Sequence, residues 1–136
     1  MSQENVELIL DALAAMNRSD TEAFLEAFHP DVVWEESGDV LPGLRGTYRG
    51  PAGVRKWFET AFLEVWESFN VEVTEVANVG DAQVFLGTLT IARGAGSGVE
   101  TELRAWQVFW FADGKVARRQ VFFTRPEALE AAGLSE

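Results

Sequence analysis

Residues 101–123 read TELRAWQVFWFADGKVARRQVFF, and the alternation within them decides the fold. Leu103, Ala105, Gln107, Phe109 and Phe111 recur at every second position, which puts them on one face of a strand and Arg104, Trp106, Val108 and Trp110 on the other. Ala112-Asp113-Gly114 then supplies the positive backbone angles of a tight hairpin, and Lys115 to Phe123 returns as the next strand. Both faces of the first of these strands are apolar. A sheet covered on one side only would be polar on the other, so a second cover is expected. The economical cover is a second copy packed sheet to sheet; helices wrapping both faces are the alternative.

Upstream, Phe69, Val71 and Val73 and then Gln83 to Arg93 alternate in the same way, and GAGSG at 94–98 links the latter to the strand from Val99 to Phe111. Four strands with antiparallel neighbours follow. Before them the period changes. Gly50 and Pro51 open a helix whose Val54, Trp57, Phe58, Ala61, Phe62, Val65 and Trp66 obey helical spacing. Val6, Ile9, Leu10, Leu13 and Met16 mark an earlier helix from Gln3 to Asn17. Ser19 and Glu22 form a capping-box pattern for a second, in which Phe24, Leu25 and Phe28 continue to Pro30. Val32, Val33 and Trp34 form a short strand that runs into Glu35 and Glu36, and a turn-rich loop, SGDVLPGLRGTYRG, precedes the third helix. A last short helix, PEALEAAGL, stops at Gly133. With 136 residues and no linker or repeat, one domain over 1–136 is expected.

Eleven basic against 22 acidic residues give a formal charge of -11, which repels phosphate backbones and anionic membranes, so neither nucleic acid nor a membrane is an expected partner. No secretion signal and no bilayer-length apolar run is visible, which predicts a soluble, cytoplasmic protein. The absence of cysteine removes disulfides, thiolate metal sites and a cysteine nucleophile. His29 is the only histidine and carries a structural or surface reading; no metal site is implied. The GAGSG glycines do not open a helix after a strand, so they read as a hairpin loop and no cofactor is implied.

Three segments, NRSDTEAFLEAFHPDVVWEE, RGPAGVRKWFETAF and RAWQVFWFADGKVARRQ, together with the order of elements, resemble the nuclear transport factor 2-like superfamily and its SnoaL-like branch over essentially the whole chain. The resemblance implies an α+β cone: a curved, mostly antiparallel sheet wrapped around a long helix plus an N-terminal helix pair, with an apolar pocket for a small hydrophobic molecule. Trp34, Tyr48, Phe58, Phe62, Phe109, Val121 and Phe123 are the lining it suggests. Family members include ketosteroid isomerases, polyketide cyclases, limonene epoxide hydrolases, dehydratases and proteins that only bind, so the fold selects no single function.

Laid beside the isomerases, Glu36 falls where their general-base aspartate sits. Burial beside an apolar pocket would raise its pKa and suit it to acid/base chemistry. The isomerases' oxyanion-hole tyrosine and aspartate correspond to Ala12 and Gln107, and only the glutamine can donate a hydrogen bond. The arginine and acid of the epoxide hydrolases find only a reversed match in Glu102-Leu103-Arg104, and the last strand offers Arg118, Arg119 and Gln120 in place of the cyclases' acid. Alternation, anchored on the family comparison, turns Arg119 toward the pocket, where a buried guanidinium needs a carboxylate, from Glu36 or Glu102. Two functions therefore stand: cofactor-free acid/base catalysis (isomerisation, cyclisation, dehydration or hydrolysis) with Glu36 as base and Gln107 and Arg119 as polar partners, or a non-catalytic module that binds a ligand or a protein.

Overall fold

The computed structural model describes residues 2–36, 46–80 and 82–134. Helices α1 (Ser2–Asn17) and α2 (Thr21–Leu25) lead into strand β1 (Phe28–Glu36) and the short β2 (Gly46–Arg49). Helix α3 (Gly50–Phe58) runs directly into a π-helical turn, Glu59–Leu63. The strands β3 (Trp66–Asn78), β4 (Gln83–Gly94), β5 (Glu100–Ala112) and β6 (Lys115–Phe122) follow as a meander, and α4 (Arg125–Ala132) closes the chain. The six strands form one sheet in the order β2-β1-β6-β5-β4-β3. All its pairs are antiparallel except β1 with β6.

The expected α+β class and the four-strand meander are as observed. The β5–β6 hairpin turns on Asp113 and Gly114, both with positive φ (54° and 74°), as a two-residue turn of this hand requires. Other boundaries shift. Ser19 does not cap the second helix: it takes a left-handed φ of 57° to end α1, and Asp20 caps α2 by accepting from the Ala23 N–H at 3.2 Å. That helix stops at Leu25, and Phe28 to Pro30 already belong to β1, where the register with β6 is irregular between Phe28 and Val33 and so leaves room for a proline. Trp66 lies on β3 and not on the third helix, because the π turn ends at Leu63. The loop reading is replaced in part by β2; Arg45 and the rest of 37–45 lie outside the described residues.

One face of the sheet carries the main core. Helices α1, α2 and α3 bury Ile9, Ala15, Phe24, Val54 and Phe58 against Val32, Val84 and Leu86. The end of α1 is locked to the edge strand by Asn17, whose amide donates to the Val71 carbonyl at 3.0 Å and whose oxygen accepts from the Val71 N–H at 2.7 Å. Both Val71 backbone groups are thereby satisfied by one side chain. Replacing Asn17 with Ala leaves them unpaired at a half-buried site, so a loss of about 1–3 kcal/mol in a urea melt is expected.

The opposite face explains the second apolar row of β5. Helix α4 lays Ala128, Leu129 and Ala132 on Phe85 and Val108, with Trp106, Trp110 and Phe122 packed around them. This chain supplies the cover itself, so Trp106 and Trp110 do not require a second copy. Arg125 of α4 holds the Glu75 carboxylate with contacts of 3.0–3.3 Å, and the Trp106 indole donates to the same carboxylate at 3.2 Å. These contacts, led by the Arg125 hydrogen bond, hold the Glu75 pKa below the ordinary carboxylate value. Gly87, opposite Glu75 in the register, makes the meeting possible: a Cβ there would stand 2.8 Å from Glu75 Cγ and 2.9 Å from Thr74 Oγ1.

Candidate ligand-binding site

Between the concave sheet face and the helices lies a cavity of about 100 Å³. Helix α1 contributes Ile9, Ala12, Leu13 and Met16 to its wall, and the α3 region contributes Trp57, Ala61 and Phe62. The π turn has a direct part in this: Ala61 and Phe62 sit within it, and the wider turn re-aims side chains relative to a continuous α-helix. The sheet closes the cavity with Trp34 and Glu36 from β1, Thr88 and Thr90 from β4, Leu103, Ala105, Gln107 and Phe109 from β5, and Arg119 and Val121 from β6. Phe123, just past β6, completes that side.

Strand register brings the polar groups together. Trp34 pairs with Arg119, Arg119 with Phe109, and Gln107 with Val121. Side chains at paired positions share a face, and an arginine reaches its diagonal neighbours. Arg119, only 4% exposed, donates from Nη1 to the Glu36 carboxylate and from Nε to Gln107 Oε1 at 2.8 Å. Nη1 also meets the Glu35 carbonyl at 3.3 Å. Its guanidinium carbon sits 4.2 Å from the Trp34 ring centroid and 5.3 Å from that of Trp57. The Gln107 amide nitrogen faces Thr88 Oγ1 at 3.5 Å. Burial lowers the Arg119 pKa, opposed only in part by the Glu36 charge and hydrogen bond; a guanidinium is basic enough to keep its charge all the same.

The structure thus brings Glu36, Gln107 and Arg119 into one hydrogen-bonded chain at one end of an apolar cavity. Glu36, not Glu102, is the partner of Arg119; Glu102 is exposed on the other face of β5, opposite Ile91. Of the expected lining, Trp34, Phe62, Phe109, Val121 and Phe123 take part, and Tyr48 and Phe58 do not. Phe58 is fully buried among Phe24, Phe62 and Phe69, on the helix side of the core. Tyr48 is on β2, opposite Trp34, and burial followed by the Glu36 charge raises its pKa, which keeps the phenol protonated. Ala12 does face the cavity, as the family comparison placed it.

Trp57, Thr88 and Thr90 were not expected in the wall. The threonines had a readable signal, since they share the strand parity of Leu86 and Ala92 on the buried face; Trp57 had none beyond its place on a buried helical stripe. His29 has a structural role: Nδ1 accepts from the Asp31 N–H at 3.0 Å, and Nε2 meets Asp113 at 3.2 Å. Among the described residues no cluster of His, Asp and Glu is arranged to hold a metal ion, and no helix is long and apolar enough to cross a membrane.

The sequence matches the SnoaL-like domain over residues 9–119. The chain belongs to that family. The SnoaL-like assignment agrees with solved structures of similar fold. TerC, crystallised with polyporic acid, is 27% identical with a TM-score of 0.76, covering 96% of this chain and 98% of its own. A nuclear transport factor 2-like protein of unknown function from Burkholderia pseudomallei is 22% identical (TM-score 0.79; coverage 96% and 97%). Bal32a, from a soil-derived mobile gene cassette, is 21% identical (TM-score 0.80; coverage 96% of both chains). No curated protein matches by sequence.

Proposed function

We propose that this SnoaL-like chain binds a small, mostly apolar molecule in the cavity, with the molecule's polar atom at the Glu36–Arg119–Gln107 end. The observation that carries this reading is a wall made chiefly of aromatic and aliphatic side chains with convergent polar groups at one place, the usual composition of a small-molecule site. The polyporic acid complex of TerC supports small-molecule binding in a relative of this fold. Binding is favoured over catalysis because Glu36 is engaged by Arg119 and is not a free base.

A second reading has one specific observation behind it. Glu36 is the only carboxylate in the cavity wall among the described residues, so if a bound molecule exchanges a proton there, Glu36 is the group that moves it. Glu36→Gln separates the two readings. It keeps an acceptor for Arg119, so thermal shifts by bound ligands are expected to stay within about twofold of wild type in apparent affinity. Under the catalytic reading any turnover of such a ligand falls by about 100-fold or more, whereas under the binding reading there is no turnover to lose. Loss of ligand-induced stabilisation in both proteins would remove the pocket itself as the functional site.

A sheet-to-sheet homodimer stands as a separate proposal. It would use the convex strip that α4 does not cover, where half-buried Leu89 and Ile91 lie in register with Glu72, Arg104, Asn70 and Glu102. Sedimentation velocity decides it.

A further inference from the structure

Thr88 and Thr90 follow one another along β4 in the cavity wall, and only the first has a hydrogen-bond partner among the described residues. Thr88 donates to the Ala105 carbonyl at 3.4 Å and accepts from the Gln107 amide at 3.5 Å, which ties it to the Arg119 end. Thr90 is 8% exposed, and its neighbours in the register, Val71 and Leu103, have side chains of hydrocarbon only. The Trp34 and Trp57 indole nitrogens are closed off on all sides, whereas the Thr90 hydroxyl oxygen keeps accessible surface. Because Thr90 lines the cavity and is otherwise buried, that surface faces the cavity.

A hydroxyl among hydrocarbon costs stability unless it finds a partner, and valine has the same branched shape without that cost. A ligand oxygen is such a partner, and the strand geometry says where it lies. Thr88 Oγ1 is 3.5 Å from the Gln107 amide nitrogen, and two residues along a strand advance about 7 Å, so the Thr90 hydroxyl stands roughly 10 Å from that amide. Allowing about 3 Å for a hydrogen bond at each end leaves about 4–5 Å between two ligand oxygens, close to the separation of substituents across a six-membered ring. Resting on the small-molecule reading above, we infer that Thr90 is a second anchor in the cavity. The ligand is then an apolar molecule with two hydrogen-bonding oxygens, one at the Glu36–Arg119–Gln107 end and one, across a ring from it, at Thr90.

The test compares 1,4-cyclohexanedione with 4-methylenecyclohexanone, the same shape with one oxygen replaced by a methylene group, by calorimetric titration. The wild type is expected to bind the dione about fivefold more tightly, the difference one net hydrogen bond makes. Thr90→Val is expected to abolish that preference, to leave the affinity for 4-methylenecyclohexanone within about twofold, and to melt no lower than the wild type, since the lost hydroxyl has no partner in the fold. Thr90→Ser keeps the hydroxyl and loses a methyl group, so it is expected to retain the preference, which a role in packing alone would not produce. Equal affinity of the two ligands for the wild type, or a preference that survives Thr90→Val, would overturn the second anchor and leave the small-molecule reading standing. Binding of neither ligand would overturn both.

Discussion

Arg119→Met is expected to destabilise the fold by about 3–5 kcal/mol, the range for removing one partner of a buried ion pair. Methionine keeps much of the arginine's length and can cover the Trp34 and Trp57 rings over which the guanidinium lies, so lost volume is a minor part of the effect. The larger part is what stays behind. The Glu36 carboxylate is left beside an apolar cavity with its guanidinium gone, Gln107 Oε1 loses its donor, and the Glu35 carbonyl loses a contact. For a domain of this size the loss corresponds to a fall in Tm of roughly 10–20 °C.

A double-mutant cycle makes the cause testable. If the stranded Glu36 carboxylate dominates, Glu36→Gln in the Arg119→Met background should recover about 2 kcal/mol, whereas the same change in the wild type strands the buried Arg119 guanidinium in turn and should cost about 3 kcal/mol. Additive effects would place the cost in packing around the tryptophans and remove the ion pair as the organising contact of the site. Arg118 is the internal control. It pairs with Glu35 at 2.7 Å and lies over Trp110, but on the exposed convex side, so Arg118→Met is expected to cost no more than about 1 kcal/mol.

Adjacent arginines with opposite fates show what the sequence can convey. Strand alternation puts Arg118 and Arg119 on opposite faces, the family comparison says which face is buried, and a carboxylate partner for the buried one follows from the cost of an unpaired charge. The meander and its Asp113-Gly114 turn were equally legible, because both signals are local. Three features were not. The apolar spacing of α3 runs on through Val65 and Trp66 and hides the π turn, since the last apolar residues of a helix and the first of a strand look alike. Gly46 to Arg49 is too short to show alternation, so β2 read as loop, and Tyr48 was assigned to a pocket it does not line. The parallel β1–β6 pairing is set by contacts more than 80 residues apart and leaves no local trace. The site divides the same way: residues on strands were placed by parity, whereas a buried stripe on a helix could not say whether Trp57 meets a neighbouring side chain or a void.

Phe24→Ala tests whether α2 holds the cavity at its present size. The Phe24 ring lies 5.0 Å from Phe28, 6.3 Å from Trp34 and 5.0 Å from Phe58, so it joins the strand that carries Glu36 to the helix that carries Trp57. Truncation removes a 2%-exposed aromatic side chain and should cost about 3–5 kcal/mol. Because Phe24 is itself part of the cavity wall, the space released adds to the existing cavity instead of forming a separate void. The variant should therefore gain more than the wild type from a bulky hydrophobic molecule: naphthalene is expected to raise the variant's Tm by more than the wild type's. Phe24→Leu, which retains most of the volume, should cost only about 1–2 kcal/mol and show no such gain. A Phe24→Ala variant that loses its full share of stability but gains no more than the wild type from naphthalene would mean that Trp34 or Phe28 has moved into the space, and Phe24 would then not be what holds the cavity at its present size.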